Sequence, residues 1–261
     1  MRWGVFDSGV GGLTVVRALR RQRPGVPLVY LGDTARVPYG IRSVDTVRGY
    51  AEQAAAFMRD AGVDGLIVAC NTASAVALDV FERCFPGPVL GVVEPGVEAA
   101  LAASRTRRIG VIGTPATIRS DAYGRRLRSS RSDVSVHSVA CPLFVPLAEE
   151  GWITGDVPVW VARRYLKTLI EAEIDTLVLG CTHYPLLVPV ISEVMGDAVT
   201  LVDSADAVAR AAALVEEVSP GGAGGDGTDR FVVTDMGGAF VPVAAHFLGE
   251  SLSSLETVDL V

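Results

Sequence analysis

The sequence predicts an α/β fold: two similar parallel-sheet domains related by a pseudo-two-fold duplication, with the active site in the cleft between them. Three observations carry this. Apolar strand-like runs at 2–6, 27–31, 65–69, 88–92, 108–112, 134–139, 175–179 and 198–202 alternate with helical stretches, the pattern of parallel sheets covered by helices. The run Leu66-Ile67-Val68-Ala69-Cys70-Asn71-Thr72 has a second copy in Leu177-Val178-Leu179-Gly180-Cys181-Thr182-His183. Each cysteine also follows a strand with a Gly-containing turn at similar distance, 63 residues after Asp7 for Cys70 and 68 after Gly113 for Cys181.

Taken in order, the first strand leads from Met1 directly into the turn Asp7-Ser8-Gly9-Val10-Gly11-Gly12. With Asp33 at the end of the next strand, that turn approaches a dinucleotide fingerprint. Thr14 replaces its last glycine, however, no Walker lysine follows, and Asp7 would repel a pyrophosphate. The loop Asp33-Thr34-Ala35-Arg36-Val37-Pro38-Tyr39-Gly40 comes next, then the strand ending at Cys70. Pro and Gly in Val93-Glu94-Pro95-Gly96 mark the boundary, giving a first domain of 1–93 plus 206–261 and a second of 94–205. Past a helix at 204–217, the glycine-rich stretch 219–227 reads as a flexible surface loop. A strand at 230–233, a helix at 239–249 and a strand at 254–258 are too few for a third domain and are expected to pack back on the first half.

Composition bounds the function. Among 261 residues nearly half are hydrophobic and the net charge is −7, so a nucleic-acid partner is disfavoured; the clusters around Arg105–Arg108 and Arg125–Arg128 read as solvated faces. No apolar run reaches the ~20 residues of a bilayer span, and no signal-peptide pattern precedes the first strand. A cytoplasmic protein with no membrane association is expected. Its four cysteines lack a C-x-x-C pair, and Cys84 and Cys141 read as structural.

The turns supply the chemistry. Cys70 stands at a strand's carboxyl end before a helix, where open α/β sheets bind ligands and where helix N-terminal amides favour a thiolate. Asp7 and Asn71 could instead cap their helices. Cys70, Cys181 and His183 could in principle hold a metal, and a Cys–His pair could serve hydrolysis, but neither needs two equivalent cysteines. Racemisation does, since one base must take a proton from one face of a carbon while a second acid returns one to the other. A pyridoxal cofactor would need a Schiff-base lysine, and the sole lysine, Lys167, sits among Arg163, Arg164 and Tyr165 in a helical stretch. No cofactor and no metal are therefore expected. An amino-acid racemase, a single-base lyase and a non-catalytic amino-acid-binding protein all stay open at this point.

Four motifs in order, Val5-Phe6-Asp7-Ser8-Gly9-Val10-Gly11-Gly12, Tyr30-Leu31-Gly32-Asp33-Thr34 with Pro38-Tyr39-Gly40, Ala69-Cys70-Asn71-Thr72-Ala73-Ser74, and Leu179-Gly180-Cys181-Thr182-His183-Tyr184-Pro185-Leu186, resemble the glutamate racemase family from residue 4 to about residue 215. The resemblance implies cofactor-independent interconversion of L- and D-glutamate, supplying D-glutamate for peptidoglycan, by an enzyme that is a homodimer. It assigns Cys70 to deprotonate D-glutamate and Cys181 L-glutamate, with Asp7 and His183 assisting and Glu149 as a further acid near the second cysteine. Asp7, Ser8, Pro38, Tyr39, Gly40, Cys70, Asn71, Thr72, Thr114, Cys181, Thr182 and His183 would bind substrate. One departure is Gly113-Thr114-Pro115-Ala116-Thr117, with Pro-Ala where the family more often has a second glycine.

Overall fold

The computed structural model describes residues 1–218, 228–237, 240–252 and 254–260; the loop expected at 219–227 lies outside them. Among the described residues the order is β1 (Trp3–Asp7), α1 (Leu13–Gln22), β2 (Leu28–Gly32), α2 (Val44–Asp60), β3 (Gly65–Val68), α3 (Asn71–Val76), α4 (Leu78–Cys84), β4 (Val89–Gly91) and α5 (Val93–Ala103). It continues with β5 (Arg108–Gly113), α6 (Pro115–Ser120), α7 (Ala122–Ser130), β6 (Ser135–Ala140), α8 (Phe144–Glu149), α9 (Asp156–Glu171), β7 (Thr176–Gly180), α10 (Val188–Met195) and β8 (Thr200–Asp203). The chain closes with α11 (Ser204–Val218), β9 (Arg230–Val233), α12 (Phe240–Leu248) and β10 (Glu256–Thr257).

These strands form two parallel sheets, ordered β10-β9-β2-β1-β3-β4 and β6-β5-β7-β8. The run β2-β1-β3-β4 and the run β6-β5-β7-β8 have the same internal order, so β1 corresponds to β5 and β3 to β7. The duplication read from the two cysteine motifs is thus a duplication of topology. At the centre of the first sheet, Trp3 pairs with Leu28 on one side and Gly65 on the other; at the centre of the second, Ile109 pairs with Val136 and Thr176. The C-terminal elements join the first half: β9 pairs with β2, and α12 packs on α1.

Alternation along the buried strands feeds two apolar layers. On the first sheet, Val5, Tyr30 and Ile67 face α1, α11 and α12, while Phe6, Leu31 and Val68 face α2 and α4. The second sheet is sandwiched likewise, by Leu166 and Ile191 on one face and by Val97 and Leu127 on the other. Helices α5 and α11 pack together, and α11 also packs on α1, bringing the carboxyl edges of both sheets to one cleft. Pro95 and Gly96 do not interrupt the chain there. They lie in the first turn of α5, where a proline forfeits no intrahelical hydrogen bond.

Candidate active site

Both cysteines stand just past a strand's carboxyl end and line the same cleft. Cys70 is the N-cap residue of α3, and its Sγ donates to Ser8 Oγ at 3.3 Å. Cys181 follows β7 directly, with its Sγ 3.9 Å from His183 Nδ1. On its far side His183 Nε2 meets Glu149 Oε1 at 2.8 Å, at the end of α8, and Phe247 of α12 packs edge-on against the imidazole. Ser8, Pro38, Tyr39 and Gly40 line the cleft from the first half with Asn71 and Thr72; Thr114, Glu149, Thr182 and His183 line it from the second. Gly9 and Val37, inside the turn and loop already singled out, also line it, and so does Val145, which no sequence signal marked.

Asp7 lies behind this surface, 1% exposed. Its Oδ2 accepts from the Gly9 amide at 2.9 Å and its Oδ1 from Thr182 Oγ1 at 3.4 Å, so it ties the first turn to the second cysteine's turn. Neither suggested helix cap forms: the N-cap of α1 is Gly12, without a side-chain bond, and Asn71 is already inside α3. Burial raises the Asp7 carboxyl against the pull of His183. For Cys70 the helix amide of Ala73 does favour a thiolate, but larger effects oppose it. Burial, and then the nearby Asp7, push its thiol up to about 12, outweighing the Ser8 and Ala73 contacts. His183 goes the other way: burial disfavours its charge, yet the Cys181 and Glu149 partners prevail and hold it up to about 10. The two thiols therefore meet different company, a buried carboxylate on one side and an imidazolium on the other.

Of the glycines in the first turn, Gly11 makes room for the opposite half, while Gly9 and Gly12 lie against Val37, Asp7 and Tyr30 of their own half. A Cβ on Gly11 would lie 2.2 Å from Thr182 Oγ1 and 2.6 Å from His183 Nδ1. Thr14 adds to the join, its hydroxyl directed at the Thr182 carbonyl at 3.2 Å. In the second half, Thr114 caps α6 by accepting from the Thr117 amide, with Pro115 in the first turn, so Pro-Ala at 115–116 simply starts a helix. Thr72, Thr114 and Thr117 then form a hydroxyl cluster across the cleft, Thr72 Oγ1 lying 2.9 Å from Thr114 and 3.3 Å from Thr117. The Pro38–Gly40 segment is anchored from beneath by fully buried Asp33, which accepts from the Tyr39 hydroxyl, from Arg36 Nε at 2.7 Å and from Thr234 Oγ1 at 2.9 Å.

The chain matches the model of the family described as Asp/Glu/Hydantoin racemase over residues 13–212. It is 47% identical over 262 residues to the glutamate racemase of Geobacter metallireducens, covering 98% of this chain and 96% of that one. To the glutamate racemase of Aquifex aeolicus it is 55% identical over 210 residues, 80% of this chain and 81% of the relative. The crystal structure of glutamate racemase from Francisella tularensis in complex with D-glutamate superposes with a TM-score of 0.92 at 37% identity, covering 99% of this chain and 97% of that chain.

Proposed function

From the premise that this chain belongs to the Asp/Glu/Hydantoin racemase family, we propose that it interconverts L- and D-glutamate by a two-thiol, cofactor-independent mechanism. The observation that carries the mechanism is the convergence of Cys70 and Cys181, from topologically equivalent strand ends of two sheets, on one cleft. The choice of glutamate rests on the relatives at 47% and 55% identity.

From L-glutamate, the Cys181 thiolate takes the Cα proton and becomes a thiol, while the electron pair passes into the α-carboxylate as an enediolate. The Cys70 thiol then returns its proton to the opposite face, leaving D-glutamate and a Cys70 thiolate. The reverse direction exchanges the roles. His183, held cationic by Glu149, favours negative charge on Cys181, and Asp7 assists Cys70. A Cys70 thiolate in this dry site is a stronger base than one in water, since the burial that makes it scarce also makes it reactive. Backbone and hydroxyl donors of Ser8, Gly40, Thr72, Thr114 and Thr182 suit the substrate carboxylates. Lys167 supports chemistry without pyridoxal: it lies on the surface of α9, 74% exposed and 3.7 Å from Glu171.

Deuterium incorporation at Cα, measured in heavy water from each enantiomer with no cofactor added, tests this. Label entering the product enantiomer from both directions is expected, as is loss of racemisation in Cys70→Ser and in Cys181→Ser. Racemisation left intact in either variant would end the two-thiol reading. The same reading sends D-glutamate to peptidoglycan synthesis in the cytoplasm and makes the working form a homodimer, which sedimentation equilibrium measures.

A further inference from the structure

Asn71 opens α3 in the first half of the molecule and is 2% exposed. Its Oδ1 accepts a hydrogen bond of 2.6 Å from the hydroxyl of Tyr123, which belongs to α7 in the other half. Its Nδ2 is buried and has no partner in the protein, yet the residue lines the cleft. Buried amide N–H groups are almost always paired, because leaving one unmade forfeits its hydration. A carboxylate bound in the cleft that Asn71 lines would supply the acceptor this nitrogen lacks.

We propose that Tyr123 is a positioning residue for substrate recognition: by occupying Oδ1, it turns the Asn71 amide so that Nδ2 presents to the cleft and donates to a carboxylate of the bound amino acid. An amide can show either end, and the choice decides which ligand group it reads. An Oδ1 turned toward the ligand would suit an ammonium, whereas an Nδ2 turned toward it suits an acceptor, and on an amino dicarboxylate the acceptors are the carboxylates. The tyrosine itself cannot drift. It is buried, and Cβ atoms built on Gly96 and Gly180 would sit 3.2 and 3.3 Å from its ring, so α5 and the end of β7 hold it closely. Because donor and amide come from opposite halves, packing of the halves orients the amide before substrate arrives. The inference rests on the glutamate reading above.

Tyr123→Phe keeps the ring and removes the hydroxyl. The calorimetric Kd for glutamate and the KM for both enantiomers are expected to rise about tenfold, the ordinary worth of one hydrogen bond, with kcat held within about threefold. In an Asn71→Ala background the same change should move Kd by less than about twofold, since the amide it orients is gone. An unchanged Kd in the single variant, or a full tenfold effect in the Asn71→Ala background, overturns the proposal. Asn71→Asp tests the same amide with Tyr123 intact: it sets an oxygen where the N–H was, and binding should weaken by about a hundredfold or more. Retained affinity there would mean that the cleft face of residue 71 reads the ammonium, which also overturns the proposal. A wild-type protein that fails to racemise glutamate defeats the underlying reading alone; one that racemises while Tyr123→Phe changes nothing defeats only this inference.

Discussion

His183 stands between two negative partners, and removing one gives a prediction with a definite sign. Burial opposes its charge, while Cys181 and Glu149 favour it and win, so the imidazolium persists up to about 10. Glu149→Gln should therefore move the basic limb of kcat/KM to lower pH, by about one unit; a limb that stays in place would show that Glu149 does not set the charge. Asp203 offers a stability test. Burial raises its carboxyl to about 6, so the stability of the protonated folded form is fully present below the ordinary carboxylate range and is lost as pH rises through 6. Asp203→Asn keeps an oxygen for the Ala205 amide, which now lies 2.8 Å from Oδ1. It should gain about 2 kcal/mol near pH 8 and nothing near pH 4 in urea melts. At this scale the sequence was readable where a residue repeats a local pattern, as the cysteines do. Thr117 and Tyr123 escaped because their partners, Thr72 and Asn71, lie 45 and 52 residues away. Only the Thr114-x-x-Thr117 spacing, a helix-start signal, could have pointed to the first.

Among elements, the turn after β1 illustrates how one backbone segment serves a neighbour. Gly11→Ala would drive a methyl into Thr182 and His183 and should lower kcat by about a hundredfold while costing about 1–3 kcal/mol. Gly49→Ala provides the contrast: it sits in the exposed interior of α2, a Cβ there meets nothing within 4 Å, and helix propensity alone should raise stability by about 0.5–1 kcal/mol. Thermal melts and kinetics on the pair separate space from conformation, and a neutral Gly11→Ala would refute the close approach. Strands such as β1, β3 and β7 were legible because burial on both faces writes an unbroken apolar run. The split of α6 from α7 was not, since it turns on Asp121 in the left-handed region at φ 52°, with neither Gly nor Pro to announce it. Pro95 and Gly96, read as marking the domain boundary, lie in the first turn of α5, a place that tolerates such punctuation.

For the molecule as a whole, the cleft is assembled from contacts that cross between halves: Asp7 with Thr182, Thr14 with the Thr182 carbonyl, Thr72 with Thr114, and Asn71 with Tyr123. A ligand gripped by both halves should stabilise the entire chain, by about 2.7 kcal/mol at a hundredfold excess over Kd. For a protein of this size that corresponds to a rise in Tm of about 5–8 °C with D-glutamate, against none with a ligand that is not bound. A biphasic melt in which only one half shifts would contradict a shared site. The uneven surroundings of the two thiols carry a further consequence that belongs to thermodynamics rather than to either residue. Mirror-image substrates have equal free energy in an achiral solvent, so the equilibrium constant is one and kcat/KM must be identical in the two directions, in the wild type and in every variant at every pH. Whatever imbalance Ser8 and Asp7 create against His183 and Glu149 can appear only as kcat and KM rising or falling together from one enantiomer to the other.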